Sequence, residues 1–125
     1  DASSSIDDLV KDAKEVNGFK VVAAKIEVSN ADELKNIGDT LRSKLGSGVG
    51  VLASVIDDKV SLVCVVTDDL IKEKKLQAGK IVGDIAKKLG GGGGGRPHLA
   101  TAGGKDVEKL DEVLKSVFDI VQVSQ

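Results

Sequence analysis

Residues 90–104 read GGGGGGRPHLATAGG: six glycines, then Arg96-Pro97-His98, then LATA and Gly103-Gly104. Eight glycines in fifteen residues lose more backbone freedom on folding than other residues would, so a compact domain keeps them where something must come close to the main chain. Glycines let backbone N–H groups point outwards as an anion-binding nest, and Arg96 adds a planar guanidinium suited to a phosphate. The stretch therefore reads as a nucleotide or nucleic-acid contact. Its candidate residues are the backbone of Gly91, Gly92, Gly93, Gly94 and Gly95, with Arg96, Pro97, His98, Gly103 and Gly104. A flexible Gly-rich linker is the competing reading. Against it, Pro97 stiffens the stretch, and no Ser-rich or charged linker composition surrounds it.

Working outward from the glycines, a long helix is predicted upstream, from Asp68-Asp69 to about Leu89. Ile71, Ala78, Ile81, Val82, Ile85, Ala86 and Leu89 turn inward and Lys80, Lys87 and Lys88 outward. Gly79 and Gly83 share one flank of it, and each interior glycine costs about 1 kcal/mol against Ala, so close packing should compensate. Downstream, LATA reads as a short strand. Val107, Leu110, Val113, Leu114, Val117 and Phe118 then pattern a final helix, with Ile120 to Val123 as an edge strand or tail.

Earlier in the chain, Ser5 and Asp8 resemble a capping box, and Ile6, Leu9, Val10, Ala13 and Val16 predict a short amphipathic helix ending at Asn17-Gly18. Residues 19–28 (FKVVAAKIEV) predict a strand covered on both faces. Asn30 caps a helix with the inward stripe Leu34, Ile37, Gly38, Leu41 and Leu45, stopped by Gly46. Two apolar runs, 49–56 and 60–67, flank Asp57-Asp58-Lys59 as a hairpin.

At 125 residues and 41% apolar content the chain can bury one core. The absence of methionine and the start at Asp1 suggest a segment excised from a longer protein or a processed chain. No apolar run approaches a membrane span and no signal peptide opens the sequence, so the expectation is a soluble domain with no membrane partner. The single cysteine, Cys64, cannot form an internal disulfide and suits a reducing, cytoplasmic setting as a buried thiol.

Net charge is −2, but residues 68–105 carry +4 while the segments on either side carry −3 each. Such a patch can steer a phosphate backbone while the rest of the surface limits indiscriminate binding, with Lys87, Lys88 and Lys105 as electrostatic support. A solvated helix face is the plainer reading of the same lysines. With two phenylalanines and no Trp or Tyr, stacking on splayed single strands is disfavoured. One histidine and one cysteine make no zinc cluster and no relay, and the acidic pairs Asp7-Asp8, Asp57-Asp58 and Asp68-Asp69 coincide with helix starts or turns. The Gly-Lys-Ser/Thr ending of a P-loop is missing. No catalytic residue is assigned.

The glycine run, Arg-Pro and Ala-x-Ala-Gly-Gly, preceded by DIAKKLG and followed by KDVEKLDEVL, resemble the C-terminal domain of alanyl-tRNA synthetases. This is the C-Ala domain, of the DHHA1 type named for its association with the DHH phosphoesterases. The likeness extends over about residues 19–121, leaving residues 1–18 as a tail and short helix leading from a preceding segment, and 19–125 as the DHHA1-like domain. The resemblance implies a noncatalytic tRNA-binding domain that positions tRNA-Ala, at the outer corner of the L, for aminoacylation and editing. Its partners would be the rest of the synthetase chain and, in some members, a second copy in a homodimer. It implies no cofactor in this domain, the parent enzyme using ATP, Mg and Zn.

Three other readings stay open: the substrate-binding domain of a DHH-type phosphoesterase, an oligomerisation module, and the C-terminal domain of a stand-alone alanyl-tRNA editing protein. In the phosphoesterases the histidine directly follows the glycines, whereas here Arg96-Pro97 intervenes before His98. The expected fold is α/β: a single domain with a mixed sheet of about four strands, packed helices and a glycine-rich loop.

Overall fold

The computed structural model describes residues 8–11, 13–16, 18–73 and 75–123. Six strands form one mixed sheet: β1 Lys14–Val16, β2 Phe19–Lys25, β3 Gly48–Ile56, β4 Lys59–Val66, β5 Gly92–Gly95 and β6 Leu99–Gly104. Their spatial order is β1-β2-β3-β4-β6-β5, and only the β2/β3 pair is parallel. Between β2 and β3 runs helix α1, Ala31–Leu45. Between β4 and β5 run α2, Asp68–Glu73, and α3, Ala78–Lys88. A 3-10 turn at Val107–Lys109 leads into α4, Leu110–Val123.

The sheet divides two cores. On one face α1 buries Leu34, Ile37, Leu41 and Leu45 against Val22, Leu52, Val63 and Val65. Each such side chain contributes roughly 1.5–3 kcal/mol when fully buried. Two glycines let this helix sit close: a β-carbon on Gly38 would lie 3.0 Å from Val63 Cγ1, and one on Gly50 2.5 Å from Leu41 Cδ2. The cap is as expected, with Asn30 Oδ1 accepting from the Glu33 amide at 2.9 Å, a bond whose loss costs about 1 kcal/mol. On the other face α3 and α4 cover Val21, Val49, Val51, Leu62 and Cys64, the alternate residues of the same strands.

The hairpin forms with a tighter turn than the composition suggested. Lys59 pairs with Ile56, leaving Asp57 and Asp58 as the loop with φ of 52° and 64°, the positive-φ geometry that matches strand twist.

Four expectations are corrected. Residues 8–11 are helical, but residues 14–16 are strand β1, with Val16 opposite Phe19 across a turn in which Gly18 has φ 89°. Pairing along the open edge of β2 prevails there over a helical period of only about three turns; Ser5, Ile6 and Asn17 lie outside the described residues.

The long helix is two helices. Between α2 and α3, Lys75 adopts φ 60° and Leu76 is fully buried. An unbroken helix would have put lysines at positions 74 and 75 on the inward stripe between Ile71 and Ala78. The break turns Lys75 outward and Leu76 inward instead.

Ile120 to Val123 continue α4 rather than forming a strand or tail, and Val121 is buried among the core side chains. The sheet has six strands rather than four, because β1 and the glycine strand β5 add one at each edge.

Candidate nucleic-acid interface

The glycine run is a strand, not a loop. Gly92 to Gly95 pair with Gly103, Ala102, Thr101 and Ala100 in register, and Arg96 N–H closes the hairpin on Leu99 O at 3.1 Å. Gly90 supplies the reversal after α3, at φ 74°, and Gly91 N–H donates to Ala86 O at 2.8 Å. The expected outward-pointing nest is therefore replaced by a ladder with β6 along one side of this edge strand.

The connection is likewise held rather than free. Pro97 O accepts from Ala78 N–H at 2.8 Å at the start of α3, and His98 O accepts from Val66 N–H at 3.0 Å at the end of β4. Arg96 and Pro97 are exposed and His98 is half-buried.

The four strand glycines serve two different faces. Gly93 and Gly95 look towards α3: a β-carbon on Gly79 would come 3.0 Å from Gly95 O, and one on Gly83 3.7 Å from Gly93 O. A β-carbon on Gly93 would also collide with Ala102. Packing accounts for both. Gly92 and Gly94 are different, since a β-carbon on either would have nothing within 4 Å. Their open side is the α1 face of the sheet, where they pair with Gly103 and Thr101.

That face holds two cavities. One, of about 470 Å³, is walled by Gly94, Gly95, Arg96, His98 and Thr101 and, from α1, by Lys35, Asn36 and Asp39. The other, of about 720 Å³, lies by the start of α1 and takes in Gly91, Gly103, Gly104, Lys105, Lys59 and Ser61. The first gathers a guanidinium, an ammonium, an imidazole and side-chain oxygens around exposed glycine backbone. Such a set suits phosphate and ribose groups.

Of the sequence-derived candidates, Gly94, Gly95, Arg96 and His98 meet in the first cavity, and Gly91, Gly103, Gly104 and Lys105 in the second. Lys87 and Lys88 are exposed in the last turn of α3, which packs on the opposite face of the sheet, and they line neither cavity. The basic third of the sequence is thus split between two faces. Lys35, Asn36, Asp39 and Lys59 were missed: in sequence they are the polar face of an amphipathic helix and a turn lysine, with no mark that distinguishes them from solvated residues.

The other polar cluster is a brace. Ser47 Oγ and Thr67 Oγ1 each donate to the Asp69 carboxylate at 2.5 Å, and Gly48 N–H donates to Thr67 Oγ1 at 3.0 Å. The two hydroxyls hold the Asp69 carboxyl below the usual carboxylate range, led by Ser47. Burial pushes the Cys64 thiol well above its ordinary value. Among the described residues no group of three His, Cys, Asp or Glu could hold a metal ion, and no helix is long and apolar enough to cross a membrane.

The sequence that builds this glycine strand and Arg-Pro-His turn matches the DHHA1 domain family over residues 18–123. Among known relatives, alanine–tRNA ligase of Acetivibrio thermocellus is 50% identical over 120 residues, covering 96% of this chain. That of Bacillus subtilis is 50% identical over 114 residues, covering 91%. The chain spans only 14% and 13% of those two enzymes. The crystal structure of the C-Ala domain of Aquifex aeolicus alanyl-tRNA synthetase superimposes with a TM-score of 0.78 at 32% identity, covering 88% of this chain and 97% of that one. The chain belongs to the DHHA1 family, as a C-Ala domain of the alanyl-tRNA synthetase type.

Proposed function

We propose that this domain is a noncatalytic tRNA-binding module that positions tRNA-Ala for the other modules of an alanyl-tRNA synthetase. The observation that carries the reading is Gly94, whose missing side chain no contact among the described residues explains, lying open beside Arg96. A strand position that could hold any residue, yet is bare next to a guanidinium, suits the close approach of a sugar-phosphate backbone. Membership of the synthetase branch makes tRNA the nucleic acid to test first.

The test is binding of the domain to a tRNA-Ala transcript at two salt concentrations, for wild type, Arg96→Ala and Gly94→Ala. Arg96→Ala should weaken binding by roughly 1–3 kcal/mol while leaving thermal stability nearly unchanged. Gly94→Ala should weaken it through a methyl group that meets nothing within 4 Å among the described residues. Affinities within error of wild type for both variants would remove this face as the contact surface.

A further inference from the structure

The open face of β6 is bounded by cations at both ends. Leu99, Thr101 and Gly103 project on the α1 side, opposite Val65, Val63 and Ser61. Thr101 is exposed, and the positions of β-carbons on Gly92 and Gly94 are empty. The cavity with Lys35 and Arg96 abuts Leu99 to Thr101, and the one with Lys59 and Lys105 begins at Gly103. At about 3.3 Å per residue, residues 99–105 set the two basic ends about 20 Å apart.

Asp39 lines the first end and Asp57 the second, which leaves each with one positive charge in excess and gives each an acceptor for a ribose hydroxyl. A single nucleotide would use one end and leave the other idle.

We infer that the two cavities are the ends of one trough that takes a run of polynucleotide backbone, with Lys59 and Lys105 forming a second phosphate-binding pole opposite Lys35 and Arg96. The inference rests on the nucleic-acid reading above and adds a length and a second contact to it. Both lysines are exposed, and they come from different elements: the first residue of β4 and the residue after β6.

Each phosphate contact releases condensed counterions, so its removal lowers the steepness of the salt dependence by about one unit of log K against log salt. The experiment titrates a tRNA-Ala transcript with wild type, Lys59→Gln, Lys105→Gln, Arg96→Ala and Lys115→Gln across a salt series. Lys115 is exposed on α4, across the sheet from the trough, and serves as the control. Thermal melts of each variant check the fold.

The expected result is a slope lower by about one unit for Lys59→Gln, Lys105→Gln and Arg96→Ala, and unchanged for Lys115→Gln. Unchanged slopes for both trough lysines beside a reduced one for Arg96→Ala would overturn the second pole while keeping the first. An equal fall for Lys115→Gln would replace the trough by a diffuse field. An unchanged slope for Arg96→Ala as well would count against the nucleic-acid reading itself.

Discussion

Gly79 of α3 faces Gly95 of β5 so closely that a β-carbon on Gly79 would come 3.0 Å from the Gly95 carbonyl oxygen and 3.2 Å from its amide nitrogen. Both hydrogen-bonding groups of an edge-strand residue thus lie against a helix. Covering an edge in this way blocks further strand pairing. It also explains the glycine at position 79 of α3: helix and strand backbones meet there with no side chain between them.

Gly83 and Gly79 should therefore respond in opposite ways to alanine. At Gly83 the added carbon reaches ordinary contact, 3.7 Å from Gly93 O, so the gain in helix propensity remains and stability should rise by up to about 1 kcal/mol. At Gly79 the neighbours are backbone atoms that cannot rotate away, so β5 must shift and the gain is lost. Urea denaturation of the two variants checks this. A Gly79→Ala domain as stable as Gly83→Ala would show that β5 is not pressed against the helix.

Asp69 should make the domain sensitive to acid. Its folded carboxyl titrates below the unfolded value, about 3.9, because Ser47 and then Thr67 donate to the charged form. The stabilisation is complete above that unfolded value and is lost as pH falls through the lower folded one. Asp69→Asn should lower stability at pH 7 and flatten the decline between neutral and strongly acidic pH. Parallel stability curves for wild type and variant would mean that the brace contributes nothing.

Cys64 sits in the middle of β4 with no exposed surface, and burial disfavours its thiolate. Native protein should react with a thiol reagent only as fast as it unfolds, and denaturant should make the reaction immediate. Prompt labelling of the folded domain would contradict the packing of the sheet against α3 and α4.

The recognition mode follows from what the trough lacks. Besides glycine backbone, lysines, Arg96 and His98 its lining includes Asp39, Asp57 and small polar and aliphatic side chains, with no Phe, Tyr or Trp. Folded tRNA should bind more tightly than an unstructured strand of equal length, because contacts to phosphate and ribose favour a backbone already shaped. Competition binding measures the preference. Equal or tighter binding of the single strand would point to base reading and favour a phosphoesterase-like substrate site.

Much of this architecture is local and was legible in the sequence. The buried stripe of α1 is the predicted one, Leu34, Ile37, Gly38, Leu41 and Leu45, between the predicted Asn30 and Gly46 caps, because helical periodicity and capping are properties of neighbouring residues. The hairpin of β3 and β4, the LATA strand and the apolar face of α4 are local in the same sense. The glycine stretch was also recognisable as a place of close approach. What approaches it was not: β-carbons on Gly93 and Gly95 would collide with Ala102 and Ala100 of β6 while α3 lies against their backbone, and Gly92 and Gly94 lie open on the other face. Strand β1, the break before α3 and the meeting of Lys35 with Arg96 depend on which segments pair across the sheet and which helix covers which face. Those choices are made by contacts between residues distant in the chain, so the tertiary structure decided them.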